Sequence, residues 1–212
     1  MQEIKNIICV GRNYIEHAKE LNNPLPQVPL LFTKPTHSLV EANGSEIVLP
    51  GDRGELQYEV ELVFHINRKY EPGIRLEDLV DKIAVGIDFT LRDVQSELKK
   101  KGYPWVIAKG FRNSAVLSSW HPFPGLKGLM EVDFSLERNG EEVQRGNIKN
   151  MIFDLQTVVE YTAQNLGLDH GDIIFTGTPA GVGAVLDQDF FSLKLADLEL
   201  GSCLIKLLRI NS

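Results

Sequence analysis

Cysteine is scarce in this sequence: Cys9 and Cys203 lie near opposite ends and form no CxxC pair. That excludes a disulfide scaffold and makes a reducing compartment, the cytoplasm, the expectation. Long apolar runs are missing too, since none approaches the roughly 18–20 residues a membrane span needs. The apolar stretch 7–10 is too short for the core of a signal peptide. Basic charge is in deficit, with 22 Lys+Arg against 29 Asp+Glu and a net charge of −7. Nucleic-acid binders usually carry a basic face, so that class of partner loses support. No HExxH, GxSxG, Walker A or GxGxxG pattern occurs, and His17, His37, His65, His121 and His170 have no zinc spacing. Zinc hydrolysis and serine-hydrolase chemistry are thereby disfavoured. Repeats, low-complexity tracts and Ser/Gly linkers are also lacking. What remains is ordinary globular usage, 43% hydrophobic and 24% charged over 212 residues. One domain spanning 1–212, with a substantial core, accounts for that length.

Hydrophobic periodicity predicts many short strands and few helices. Strands are expected at 7–11, 30–33, 46–49, 57–66, 83–89, 105–109 and 173–176, with a closing pair at 190–195 and 203–208. Asn139-Gly140 between 132–138 and 141–145 is a strong type I′ hairpin signal. Helices are expected at 14–21, with Ile15, Ala18 and Leu21 as the buried stripe, and at 91–100, burying Leu91, Val94 and Leu98. A third helix, 151–166, ends at Gly167. Three prolines between 22 and 29 require an irregular loop there. The pattern suits a β-rich α+β domain rather than regular βαβ alternation.

Strand 57–66 separates its side chains into two faces. Tyr58, Val60, Leu62, Phe64 and Ile66 form one, while Gln57, Glu59, Glu61, Val63 and His65 form the other. Glu59 and Glu61 therefore point the same way, about 7 Å apart at the backbone. They either face water or gather around a hard cation such as Mg²⁺ or Mn²⁺, because neighbouring carboxylates repel without one. Asp88 offers a third carboxylate at the mouth of an apolar strand, with Thr90 and Asp93 as the rival cap of the next helix. Arg92 and Gln95 follow on that helix. His17 and Glu20, three apart, share a helical face and could act as a general base with an orienting carboxylate, or be a solvated pair. Lys109 closes an apolar segment, which it could leave by snorkelling. The loop 177–183 could receive a carboxylate on its amides, or simply turn the chain.

Taken in order, several segments resemble the fumarylacetoacetate hydrolase family, in particular its small acylpyruvate hydrolase and oxaloacetate decarboxylase members. They are CVGRNY with His17 and Glu20 (from Cys9), FTKP (from Phe32), YEVEL (from Tyr58) and DFTLRDVQ (from Asp88). GYPW through AKGF (Gly102 to Phe111), MIF (from Met151), and GDII into TGTPAGVG (Gly171 to Gly183) complete the set. The resemblance implies a β-roll-like or sandwich-like mixed fold with a few helices and a homodimer. It implies Glu59, Glu61 and Asp88 as ligands of Mg²⁺ or Mn²⁺, and His17 with Glu20 as the catalytic dyad. Arg12, Arg92, Gln95, Lys109 and Thr178 match positions around the oxygens of a small 2-oxo or 2,4-dioxo acid, with Lys109 able to stabilise developing negative charge. The implied activity is hydrolysis of the C–C bond of an acylpyruvate. Oxaloacetate decarboxylation and 2-oxo acid tautomerisation are alternatives, and a non-enzymatic, metal-stabilised domain is the rival class. Three departures stand out. Ile87 replaces a frequent Asn, the lid region 39–44 adds Glu41, and 184–191 lacks the expected Pro-Gly-Asp turn.

Overall fold

The computed structural model describes residues 4–20 and 24–208. It is strand-rich with a curled sheet, as the composition of short apolar runs requires. The largest sheet has eight strands. Its order runs Leu30–Lys34, Ile7–Gly11, Ile173–Phe175, Val60–Ile66, Val80–Asp88, Ala115–Leu117 and Leu39–Glu41, with His121–Pro122 also paired to Val80–Asp88. A five-stranded sheet packs against it, ordered Glu141–Gly146, Phe134–Arg138, Phe190–Leu195, Leu198–Leu208 and Asn43–Pro50. Between them lies the main core, where Leu62, Phe64, Val85 and Ile87 meet Phe134, Phe191, Leu193 and Ile205.

The other face of the large sheet is buried as well, around Ile7, Cys9, Val63, Ala84 and Phe175. The curl brings these strands so close that a Cβ on Gly86 would stand 2.6 Å from the Phe175 ring and 2.8 Å from the Val116 carbonyl. Burial on both faces changes the reading of 57–66. Most of its polar face is withdrawn from the surface: Glu59, Glu61 and His65 are buried and Gln57 is half-buried. The strand is also broken in two, Leu56–Tyr58 and Val60–Ile66, with Glu59 at the break. Asn139 and Gly140 both adopt positive φ, 55° and 85°, as the type I′ hairpin demands. The final strand pair forms antiparallel as expected.

Four expectations are corrected. Segment 105–109 is not a strand: Val106–Lys109 makes one helical turn, with the Ala108 and Lys109 amides donating to the Trp105 carbonyl. The turn exposes Val106 and Ile107 and sends Lys109 inward, the opposite of strand burial and of snorkelling. The first helix is Ile15–Glu20 and buries His17 and Ala18 rather than Ile15, which is 41% exposed; Leu21 lies outside the described residues. Helix Arg92–Lys101 buries Gln95, its polar face, because that face borders the cleft described below. Residues 39–44 are no lid. Leu39–Glu41 is a parallel edge strand beside Ala115–Leu117, and Glu41 borders a different cavity.

Candidate active site

Register places the three carboxylates. The Asp88 amide donates to the Glu59 carbonyl at 2.8 Å, so the end of one strand is fastened to the break in its neighbour. The break is held open by Gln144, whose Oε1 accepts from the Val60 amide at 2.8 Å. Glu61 follows two residues on and points to the same side. Glu59, Glu61 and Asp88 each present an oxygen within 4.8 Å of the others, all buried.

Three cations hold this charge. Lys109 Nζ donates to Glu59 Oε2 at 2.7 Å, Asp88 Oδ2 at 2.7 Å and Thr90 Oγ1 at 2.6 Å. Thr90 is thus occupied and caps no helix, while Asp93 accepts the Glu55 amide instead of closing a capping box. Lys34 Nζ lies 2.7 Å from Asp88 Oδ1 and donates to the Ser114 carbonyl at 3.0 Å. Arg92 donates to Gln57, to Gln95 at 2.7 Å and to Glu59. Burial opposes the charge on Glu59, yet Lys109 and Arg92 outweigh it and hold its carboxyl well below the usual range. Burial likewise opposes charge on Lys109, and Asp88 with Glu59 raises its ammonium above the ordinary value. Glu61 goes the other way, pushed up by burial and by Asp88 and Glu59. Its hydrogen bond comes from the Gly177 amide at 2.8 Å. Glycine is needed there: φ is +103°, and a Cβ would stand 2.7 Å from Asn13 Cβ.

The loop that contains Gly177 does receive carboxylates, the protein's own. Gly181 donates to Glu20 Oε1 at 3.1 Å, and Glu20 Oε2 lies 3.2 Å from His17 Nδ1. The pair is therefore a connected unit with a buried His17 and a Glu20 that still reaches solvent. Burial lowers the His17 pKa, against the pull of Glu59 and Glu20, and so favours the neutral imidazole. Thr178 Oγ1 accepts from Gln144 Nε2 at 3.0 Å, which ties the loop to the same glutamine that opens the strand break. Arg12 adopts φ 56°, an uncommon conformation outside glycine, where the chain leaves its first strand.

These groups border one cavity of about 30 Å³, which every candidate except Glu20 lines. The structure thus brings together residues from 12 to 178. Three participants escaped the sequence reading. Lys34 sits before a proline at the end of an apolar strand, much as Lys109 ends an apolar turn, and that shared oddity was the available signal. Lys99 follows Arg92 and Gln95 at spacings of three and four, one helical face, but is hidden within three consecutive lysines. Gln144 carries no signal at all, being one polar residue among several on a hairpin strand.

An all-oxygen donor set suits a hard divalent cation, and Glu61, held by an amide and raised by burial and its neighbours, is the one carboxylate of the trio without an ion pair among the described residues. The residues present therefore fit Mg²⁺ or Mn²⁺.

The family model for the fumarylacetoacetate hydrolase C-terminal domain matches residues 6–204. The chain belongs to the fumarylacetoacetate hydrolase family. Among family members, it is 40% identical over 187 residues to the rat oxaloacetate tautomerase FAHD1, mitochondrial, covering 87% of this chain and 84% of that protein. The oxaloacetate decarboxylase, mitochondrial, of Dictyostelium discoideum is 37% identical over 184 residues, covering 85% and 84%. A crystal structure of fumarylpyruvate hydrolase from Pseudomonas aeruginosa, in complex with Mn²⁺ and pyruvate, superposes with a TM-score of 0.88 at 33% identity. It covers 97% of this chain and 91% of that one. The family fold expected from the sequence is the fold found, and family enzymes include hydrolases, decarboxylases and isomerases. Among the described residues no helix is long and apolar enough to cross a membrane.

Proposed function

We propose that this chain is a divalent-cation-dependent enzyme that enolises a small 2-oxo acid, with oxaloacetate tautomerisation as its main reaction. The observation that carries the reading is the buried trio Glu59, Glu61 and Asp88, with Lys109 bridging Glu59 and Asp88 and His17 oriented by Glu20 beside them. Relatives at 37–40% identity that bear the names oxaloacetate tautomerase and decarboxylase support the choice of substrate.

The trio would hold Mg²⁺ or Mn²⁺, which supplies Lewis-acid polarisation of the 2-oxo group. Every other task falls to the chain. His17 Nε2 is the free basic nitrogen once Nδ1 faces Glu20, so it takes the proton from C3 of the keto acid and returns it to the enolate oxygen, which gives the enol. Glu20 holds the ring and stabilises the imidazolium formed in between. Lys109 and Arg92 place positive charge beside the developing enolate, in a cleft where burial strengthens each interaction. Thr178 and Gln95 offer polar groups to orient the acid.

A second reading, hydrolysis of an acylpyruvate, is favoured by the same dyad and by the Pseudomonas structure. His17 would then take a proton from water, the hydroxide would add to the distal carbonyl, and the C–C bond would break. The carboxylic acid and the enolate of pyruvate separate, and His17 returns the proton to the enolate carbon, which gives pyruvate. Metal-stripped protein given oxaloacetate or acetylpyruvate, with and without Mg²⁺, separates the readings. Mg²⁺-dependent enol–keto relaxation without pyruvate release supports tautomerisation. Pyruvate from acetylpyruvate supports hydrolysis, and no Mg²⁺-dependent change in either substrate overturns both.

A further inference from the structure

The two innermost cations of the cleft are already engaged. Lys109 gives its three protons to Glu59, Asp88 and Thr90, and Arg92 holds Gln57, Gln95 and Glu59. Two more cations line the same cavity, Arg12 and Lys99. Among the described residues neither has a carboxylate within ion-pair distance. Lys99 differs in this from its neighbour Lys100, an exposed residue paired with Glu97.

Aromatic rings fix where Lys99 stands. Its Nζ lies 5.2 Å from the centre of the Trp105 ring, Trp105 lies 6.0 Å from Phe32, and Phe32 lies 5.2 Å from Lys109 Nζ. Phe32 and Trp105 thus make an apolar wall with an engaged ammonium at the carboxylate trio and an unpaired one at the far end. Charge counting points the same way. Glu59, Glu61 and Asp88 are balanced by Lys34, Lys109 and Arg92, so a divalent cation leaves the inner cleft at +2 before Arg12 and Lys99 are added. A partly desolvated cation without a counter-ion is costly to keep, and an arriving anion removes that cost. A monoanion leaves the excess positive charge only partly answered; a dianion cancels the inner excess.

We infer that Lys99, together with Arg12, forms the subsite for the second carboxylate of a short 2-oxo dicarboxylic acid and gives the site its preference for dianionic substrates. The inference rests on the reading above, in which the 2-oxo acid end lies at Glu59, Glu61 and Asp88. Lys99 acts on selection, by binding the end of the substrate that does not react.

The test is calorimetric titration, in Mg²⁺, of 2-oxoglutarate against 2-oxopentanoate, a pair alike in chain length and differing in the distal carboxylate. Wild-type protein is expected to favour the dicarboxylate by at least about tenfold, as a site built around a buried polar group discriminates against its absence. Lys99→Met should remove most of that preference, and Lys99→Arg should keep it. Lys99 is only half-buried on a helix, so neither change threatens the fold. No preference in the wild type, or equal weakening of both ligands in Lys99→Met, overturns the subsite. Turnover of oxaloacetate and acetylpyruvate, read separately, tests the reaction itself. If neither is turned over while the affinity pattern holds, the enzymatic reading falls and the subsite stands. Turnover without the affinity pattern sinks the subsite alone.

Discussion

Lys109 carries more of the site than any other side chain, because a single ammonium separates two buried carboxylates. Lys109→Met removes that ammonium and leaves Glu59 and Asp88 without its charge, a change that typically costs about 3–5 kcal/mol in a buried pair. Turnover should be lost, and the melting temperature should fall sharply without metal and recover in part with Mg²⁺. A melting curve indifferent to Mg²⁺ would refute the cation site. His17→Ala should lower turnover by about 10²–10⁴-fold, the usual share of a general base, while calorimetric Mg²⁺ binding stays intact. Lys99 adds a pH signature. Burial, then Arg12, Arg92 and Lys109, push its pKa down to about 8, against the weaker pull of Glu59. A lowered pKa in a base means its charge is lost earlier as pH rises. KM for a dicarboxylic substrate should therefore climb above pH 8, and the climb should be absent in Lys99→Arg. At this scale the sequence was legible wherever a carboxylate or histidine stood in a telling pattern. Gln144 was not legible, because its importance comes from three hydrogen bonds that only the folded chain creates.

Among the elements, the hairpin, the final strand pair and the helix after Asp88 were readable from turn chemistry and apolar period. For the strand 57–66 the alternation leaves two readings open, and the curled sheet, by burying both faces, removes the wet-face one. The segment 105–109 reads as a strand because a single helical turn offers too few residues to show a period of 3.6. The curl itself hinges on Gly86. Gly86→Ala drives a methyl to within 3 Å of Phe175, the Val116 carbonyl and Val63, and overpacking of that kind costs about 1–3 kcal/mol. A lower denaturant midpoint at unchanged m-value is the expected result; an unchanged midpoint would show that the sheet can open. Gln144→Leu belongs here too. It leaves the Val60 amide without its acceptor and frees Thr178, so both the strand break and the loop 177–183 lose their common anchor. Reduced turnover should then accompany weaker Mg²⁺ binding, in contrast to His17→Ala.

For the molecule as a whole, the fold class followed from composition and the family from ordered motifs, whereas the joining of chain ends did not. The strand Ile7–Gly11 pairs parallel with Ile173–Phe175, Ile7 opposite Ile173. That pairing sets a rhythm for synthesis. The carboxylates at 59, 61 and 88 leave the ribosome together, but Lys109 comes later and the Gly177 amide later still. A nascent chain must close a loop of more than 160 residues, from Ile7 to Ile173, before its first strand finds this partner. Such non-local closure is slow. Until then Lys34, Arg92 and Lys109 are in the chain beside the carboxylates, but Glu61 has no Gly177 amide to cap it. Maturation of the site is thus an event of the finished polypeptide, and a truncation before Ile173 takes away the first strand's partner, Thr178 and the amides that hold Glu61 and Glu20.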